Sequence, residues 1–284
     1  MRTLVKHNII ATRVLAPDIK LLKIKAPLIA KNTSPGQFAI LRVDEAGERI
    51  PLTLIDWNGD EGSITLVFKE VGLTTRKLGA LSVGDEVHDL IGPLGTPVGT
   101  KYYGRVCVIS GGVAIASAYP TAKELKDKGN HVTAIIGAQT AESLIFEQET
   151  KRVSDQLYVT TDDGSKGQKG FASGILQGLL QSGKRFDLVF AVGPVQMMNA
   201  VSEITKPYKM RTIASLNSLM VDGTGMCGCC RVTVGDKTMF TCVDGPEFDA
   251  NLVDFNELIS RLDMYRDEER LALDGCERGL RCKA

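Results

Sequence analysis

Residues 220–245 read MVDGTGMCGCCRVTVGDKTMFTCVDG, and they hold four of the chain's seven cysteines. Cys227 and Cys230 form a C-x2-C pair, and Cys242 follows after eleven intervening residues. Asp222 stands four residues ahead of that pair, with Gly223 to Met226 between, giving D-x4-C-x2-C-x11-C. The plant-type [2Fe–2S] spacing is C-x4-C-x2-C…C, so the match is complete but for an aspartate in the first position. Glycines at 223, 225 and 228 let such a loop wrap closely, because glycine tolerates positive φ. Arg231–Val234 then reads as an outgoing strand, Gly235-Asp236 as a turn, and Met239–Cys242 as the return that delivers the last ligand.

Other uses of these residues compete. A structural zinc site favours two C-x2-C pairs or added histidines. Only one such pair exists, and the three histidines, His7, His88 and His131, lie far away in sequence. A disulfide is disfavoured in a chain with no secretory signal. Asp222 could equally be a turn residue, since Asp-Gly favours turns in any setting. Cys229 falls outside the spacing and reads as packing or a spare thiol. Zinc and unligated core cysteines stay as alternatives to the cluster.

Working outward, 284 residues suggest two domains with a sizeable core. The chain has 34 Lys+Arg against 34 Asp+Glu, a net charge of +0, so nothing points to nucleic acid or an anionic membrane. No apolar run of about 18 residues exists to form a transmembrane helix, and the start MRTLVKHNIIATRV is too polar for a signal peptide. Clustered cysteines without a signal point to a reducing cytoplasm and to metal use.

Residues 1–99 read as short strands with turn punctuation. Ile19–Ile24, Phe38–Val43 and Ser63–Phe68 alternate, and Pro35-Gly36, Asn58-Gly-Asp60 and Gly84-Asp85 break the chain. This pattern predicts an antiparallel barrel. Residues 100–215 alternate apolar strands with helical stretches expected near Val113–Lys128, Ala141–Arg152, Phe171–Gln181 and from Val195, with Pro120 as a kink or break in the first. That rhythm predicts a parallel sheet covered by helices, with ligands at the carboxyl ends of its strands. The cluster segment is expected over 216–250, and a C-terminal helix and tail over 251–284. Leu252, Phe255, Leu258, Ile259 and Leu262 carry the helical spacing. Cys107 reads as core, and Cys276 and Cys282 as free thiols or contacts, with a second metal site as the alternative.

Four predicted strand ends carry small or polar residues: Ser110-Gly111-Gly112, Gly137-Ala138-Gln139, Thr161-Asp162-Asp163-Gly164 and Gly193-Pro194. Each glycine alone is a plain turn; together on one parallel sheet they point to a nucleotide. The GxGxxG fingerprint is absent. Asp162 and Asp163 could accept from ribose hydroxyls and would oppose a 2′-phosphate, a hint of NAD over NADP that Lys166 and Lys169 weaken. In the barrel, Arg49 followed four residues on by Thr53 could meet a diphosphate, or Arg49 could simply be an exposed strand-edge arginine.

RIPLT at 49–53, GLTT at 72–75, the SGG strand end, TDDGS at 161–165 and VGP at 192–194, closed by VDGTGMCGCCR and FTCVDGPEFDA, resemble the ferredoxin–NADP reductase superfamily. The order of parts is similar to its branch of electron-transfer subunits with a C-terminal [2Fe–2S] segment, of the kind found in NADH-dependent ferredoxin:NADP oxidoreductase, also known as sulfide dehydrogenase. The resemblance covers residues 1 to about 250. It implies an NAD(P)H-dependent flavin and iron–sulfur oxidoreductase subunit. FAD would sit in the barrel, held by Arg49, Pro51, Leu52, Thr53, Gly72, Thr74 and Thr75. NAD(H) would sit on the second domain near Gly111, Gly112, Asp162, Asp163, Gly193 and Pro194. Asp222, Cys227, Cys230 and Cys242 would be the cluster ligands. The implied partner is a larger flavin and iron–sulfur subunit of a heterodimer, with ferredoxin reached through it, and no nucleic acid or membrane partner. Many members carry Cys-Gly-Pro beside the nicotinamide, but here Val192 precedes Gly193-Pro194, so no thiol role in hydride transfer is expected. The related dihydroorotate dehydrogenase electron-transfer subunit, the same-class alternative, carries a cysteine where Asp222 stands. A zinc-binding interaction module is the alternative of a different class.

Overall fold

The structure, a computed structural model, describes residues 7–277. The N-terminal half begins with strands β1 (His7–Ala16) and β2 (Ile19–Lys25), helix α1 (Pro27–Asn32), and strands β3 (Phe38–Arg42), β4 (Arg49–Asn58) and β5 (Ser63–Lys69). Helix α2 (Leu73–Ala80) and strands β6 (Glu86–Val87) and β7 (Asp89–Leu94) complete it. The strands form one antiparallel sheet in the order β6-β1-β2-β5-β4-β3-β7. Only His88 separates the two edge strands, so the sheet curls into a nearly closed barrel, which leaves little edge unpaired. Alternation in the strands fills its centre: Ile9, Leu22, Ile24, Leu41, Leu54, Ile64 and Leu66 share one core.

The second sheet is built from β8 (Arg105–Gly111), α3 (Ala114–Asp127), β9 (His131–Ala138), α4 (Glu147–Arg152), β10 (Gln156–Thr161) and β11 (Gln168–Lys169). It continues through α5 (Ala172–Gln181), β12 (Leu188–Val192), α6 (Val195–Thr205) and β13 (Thr212–Ser215). Pairing is parallel in the order β11-β10-β9-β8-β12-β13. The central strands read as unbroken apolar runs because both faces are covered. One face packs on α5 and α6 through Ile109, Ile135, Leu176 and Met198. The other packs on α3 through Val106, Val108, Ala118, Ala122 and Phe190.

One helix expectation is narrowed and one is corrected. Helix α3 runs through Pro120 without a break, with that proline buried. Helix α4 begins at Glu147, not near Ala141. Thr140 and Ser143 bond each other's backbone and hydroxyls, Ala141 N–H donates to Ser165 Oγ (2.8 Å), and Phe146 turns at φ 56. Such local side-chain bonds compete with a helix start.

The C-terminal segment forms the hairpin β14 (Arg231–Val234) and β15 (Lys237–Phe240), then β16 (Glu247–Asp249), α7 (Phe255–Leu262) and α8 (Arg266–Glu277). Strand β16 joins the second sheet antiparallel to β13, so the segment is woven into that sheet. Leu252 precedes α7 and is exposed, while Phe255 and Leu258 carry the buried face. Glu257 N–H donates to the capping carboxylate of Asp254 (2.9 Å), and Glu257 Oε2 accepts from Thr233 N–H (3.0 Å), fixing α7 to β14. The second-metal-site expectation rested on Cys276 and Cys282; the side chain of the first and the whole of the second lie outside what the structure describes.

Barrel and sheet meet through one apolar cluster: Ile19, Ile55 and Val67 against Ile115, Ala116 and Ile136. Each of the Ile and Val side chains contributes about 1.5–3 kcal/mol on burial, which holds the two walls together. Among the described residues no helix is long and apolar enough to cross a membrane.

Asp254→Ala is expected to cost about 1 kcal/mol of unfolding free energy, the usual loss for an N-cap. A guanidinium denaturation midpoint lowered at unchanged slope is the readout.

Candidate functional site

A cleft of about 900 Å³ opens between the barrel and the parallel sheet, large enough to enclose a cofactor. Pro51, Leu52 and Thr53 of β4 and Thr75 of α2 form part of the barrel wall. Gly111, Gly112, Asp162, Gly193 and Pro194 line the opposite wall. Register explains the second set. Ser110 pairs with Ile136 and with Val192, and Val192 with Ser215, so the strands end on one line and their next residues face the cleft together. Close approach is built in at Gly193, where an added Cβ would lie 2.6 Å from Met197 Cε.

The remaining sequence candidates sit beside the wall. Arg49 is exposed at the start of β4, and Gly72 immediately precedes α2. Thr74 is buried and its hydroxyl donates to Glu48 Oε2 (3.1 Å). Thr75 Oγ1 accepts from the Val71 and Gly72 N–H groups (3.0 Å each), shaping the helix start. Asp163 is turned onto its own loop. Ser165 Oγ and N–H both donate to its carboxylate (2.7 and 2.9 Å), and these bonds hold its pKa below the usual range. Of the two lysines nearby, Lys166 is tied to Glu147, and the stem of Lys169 lies against Gly164.

The cluster loop is seated against the barrel. Gly223, Gly225 and Gly228 all have positive φ (75°, 83° and 65°), as the wrapping loop requires. A Cβ at Gly223 would lie 2.6 Å from Ile40 Cδ1 and 2.8 Å from Leu94 Cδ1. Cys230 and Cys242 are buried with their sulfurs 3.2 Å apart. Desolvation first, and Cys230 second, push the Cys242 thiol up to about 12. Cys227 is exposed, with Sγ accepting from Cys229 N–H (3.5 Å). Asp222 is tied to the same loop: Oδ1 accepts from Thr224 N–H and Oδ2 from Cys227 N–H, both at 2.9 Å, which lowers its pKa. Among the described residues no three His, Cys, Asp or Glu side chains converge as a metal site; the carboxylate oxygens of Asp222 are spent on backbone N–H groups. The donor chemistry fits a two-iron cluster. Three thiols and a carboxylate lie on one loop and its hairpin, and two buried sulfurs in contact favour a cation between them over two bare anions. Cys107 is wholly buried in β8, and burial pushes its thiol up. The backbone carbonyl of Cys229 accepts from Arg261 Nη2 (2.8 Å).

Phe38 and Met220 line the cleft, and the same two side chains pack against Cys230 and Cys242. Neither stood out in the sequence, because a lone Phe in a strand and a Met before a loop carry no chemical signature. Phe171, 70% exposed at the cleft mouth before α5, also escaped notice.

Comparison with known proteins agrees with this geometry. Residues 217–254 match the iron–sulfur cluster binding domain of dihydroorotate dehydrogenase B. A dihydroorotate dehydrogenase B (NAD(+)) electron transfer subunit homolog of Thermotoga maritima is 43% identical over 268 residues, 94% of each chain. The chain belongs to this family of electron-transfer subunits. A Geobacillus thermodenitrificans dihydroorotate dehydrogenase B (NAD(+)) electron transfer subunit is 31% identical, covering 87% of this chain and 97% of its own. Among solved structures, an NADH-dependent reduced ferredoxin-NADP oxidoreductase chain, described in relation to flavin-based electron bifurcation, superposes with a TM-score of 0.91. It is 42% identical, covering 99% of this chain and 100% of that one. A ferredoxin NADP+ reductase from Neisseria gonorrhoeae, 14% identical with a TM-score of 0.59 over 72% of this chain and 91% of that one, shares the fold.

The sulfur contact has a direct consequence. After iron is stripped by a chelator under reducing conditions, mild oxidation should join Cys230 to Cys242 and leave Cys107 unmodified. Peptide mass mapping reads both; a dominant Cys227–Cys229 or Cys227–Cys230 product would contradict the geometry.

Proposed function

We propose that the chain is the electron-transfer subunit of a flavin-based oxidoreductase, passing electrons between NAD(H), FAD and a [2Fe–2S] cluster to a larger partner subunit. One observation carries this: Phe38 and Met220 are at once the floor of the cleft and the wall of the cysteine site, so one layer of side chains separates the two centres. When bound, flavin accepts a two-electron hydride and can return electrons singly, and a [2Fe–2S] cluster takes one at a time.

The chain's own residues then have distinct tasks. Arg49 offers a planar fork to a diphosphate near the N-terminus of α2, whose first turn Thr75 holds in shape. Gly111, Gly112 and Gly193 let a nucleotide approach the strand ends. Asp162, exposed on the cleft wall, accepts from ribose hydroxyls and repels a 2′-phosphate. Asp222, Cys227, Cys230 and Cys242 hold the cluster, with Asp222 exchanging a backbone N–H for iron. The apolar contact between barrel and sheet keeps the cleft walls in place.

The partner is a larger subunit carrying further flavin and iron–sulfur centres, as in NADH-dependent ferredoxin:NADP oxidoreductase, with ferredoxin reached through it. The aspartate at 222 and the helices beyond residue 250 favour this type over the dihydroorotate dehydrogenase type.

The purified chain should carry one FAD and one two-iron cluster, and NADH should bleach the flavin faster than NADPH. Iron and acid-labile sulfide near zero with stoichiometric zinc would sink the redox assignment. Asp162→Ala should narrow the NADH over NADPH preference roughly tenfold in stopped-flow reduction, the scale of one charge contact in a partly desolvated site.

Asp222→Ala should make the cluster labile, whereas Cys229→Ser should retain it. If Cys229→Ser loses iron while Asp222→Ala keeps it with an unchanged EPR signal, the ligands are four cysteines.

A further inference from the structure

A second cavity of about 290 Å³ lies beside the first. Its walls are the linker Thr96–Gly99, Arg211 with Thr212 and Ile213 of β13, and Asp244, Gly245 and Glu247–Asp249 around β16. None of the residues assigned above to flavin, nicotinamide or cluster lines it. One side chain connects it to the main cleft. Glu247 lines the small cavity, and its Oε1 accepts from Ser215 Oγ (3.2 Å), while Ser215 lines the main cleft. Gly36, also in the main wall, is so close that an added Cβ would lie 2.9 Å from Glu247 Oε1. The carboxyl therefore stands in the partition between the two spaces.

No charge compensates it. Among the described residues no ion pair includes Glu247. Immediately before β13, Arg211 lies over the Tyr103 ring (5.3 Å). From the β16 turn, Asp244 accepts from Phe240 N–H (2.7 Å) and Asp249 from Asn251 N–H (3.0 Å). From the linker side, Tyr103 donates its hydroxyl to Gly99 O (2.7 Å), and residues 96–99 carry no titratable group. The loop before β3 presents Gly36 and the neutral Gln37, whose amide donates to Gly95 O (2.9 Å). Burial pushes the Glu247 carboxyl up to about 8, against the opposing pull of Ser215. At neutral pH it is thus mostly the protonated acid, a proton donor enclosed by protein.

We propose that Glu247 and Ser215 form a proton relay between the small cavity and the nicotinamide–flavin cleft, with Glu247 as the store and the Ser215 hydroxyl as the bridge. This rests on the assignment of the main cleft made above. Reduction of flavin by NADH consumes one proton: NADH + H⁺ + FAD gives NAD⁺ + FADH2. The C–H bond at the nicotinamide breaks, and hydride carries both electrons to flavin N5. The separate proton leaves the Ser215 O–H for flavin, and the Glu247 O–H replaces it on Ser215. Water in the small cavity, which is roomy enough to hold it, then returns a proton to the Glu247 carboxylate. Outward transfer of both electrons to the cluster, one at a time, would release two protons from FADH2, the one delivered by the relay and the one that arrived with the hydride. Both would leave in turn through Ser215 and Glu247 to the small cavity.

The test uses the full FAD-loaded chain as wild type, Glu247→Gln and Ser215→Ala. Each is mixed with NADH in weakly buffered solution with a pH indicator, so that flavin bleaching and proton uptake are followed together. The ratio of uptake rate to bleaching rate is expected to fall roughly tenfold or more in both variants, within the range of a positioned general acid. The wild-type ratio should fall likewise above about pH 8, as the store empties. A ratio unchanged in both variants overturns the relay. A second readout needs no cofactor. Folded Glu247 keeps its proton to about pH 8, whereas an unfolded glutamate releases it near its ordinary value of 4.5. The unfolded chain then binds fewer protons across that window, so wild-type stability falls relative to Glu247→Gln as pH rises from 5 to 8. A melting-temperature difference that stays constant over this range overturns the proton store. If the wild type binds no flavin, the cleft assignment fails and the relay with it. That outcome is distinguishable, because all three proteins fail together while the melting difference still reports the Glu247 titration.

Discussion

Two cysteine sulfurs 3.2 Å apart, pressed against a barrel strand, are the constraint on which the rest of this structure depends. Cys242 cannot ionise readily there, since desolvation and the neighbouring Cys230 sulfur both resist its anion. A multivalent cation relieves that cost, but only if the segment holding the sulfurs stays in place without it. The fastenings are numerous. Thr241 donates twice to Cys230 O, Gly235 N–H donates to Leu252 O, Arg261 reaches Cys229 O, and β16 is paired into the parallel sheet. The C-terminal helix α7 and the hairpin therefore serve as a clamp on the site, anchored to the larger domain.

That anchorage explains why cleft and cysteine site share a wall. Strand β3 belongs to the barrel core through Ala39 and Leu41 and turns Phe38 and Ile40 toward the cysteines, as alternation along a strand demands. Strand β13 ends in Ser215 at the cleft and hands the chain to Leu216–Met220, which runs along the cleft into the cluster loop. The buried apolar contact between barrel and sheet joins β2, β4 and β5 to α3 and β9, and β3 and β13 are held through the sheets to which they belong.

The sequence carried the architecture well, because periodicity reports burial. The alternating runs became barrel strands, and the continuous apolar runs became the doubly covered parallel sheet. The cluster motif was legible for a related reason: Gly223, Gly225 and Gly228 do take the left-handed backbone that close wrapping needs. Helix starts were less legible. The Thr140–Ser143 turn and the left-handed Phe146 are set by side-chain bonds that periodicity does not register. The relation between sites was illegible altogether. Phe38 and Met220 lie far apart in sequence, and nothing in either residue type announces that they meet. Glu247 was likewise hidden, since a glutamate beside Gly-Pro in a polar stretch reads as surface until β16 is seen to enter the sheet edge.

Cys242 and Glu247, five residues apart on one connection, present the same electrostatic problem and resolve it differently. Each is an acidic group whose anion is penalised chiefly by desolvation. Cys242 faces other ligand-type groups on a rigid loop, where a metal centre can supply lasting positive charge. Glu247 faces one hydroxyl and a small cavity, a geometry with too few donors to hold a metal, so a proton is the only cation within reach. The first arrangement fixes charge in place and suits a centre that must change by one electron without rearranging. The second leaves the charge exchangeable with solvent, as the proton accompanying a hydride requires. The short turn through Val243, Asp244, Gly245 and Pro246 thus separates the proposed electron site from the proposed proton site, the first packed on Phe38 and Met220 of the cleft lining and the second bonded to Ser215 of the same lining.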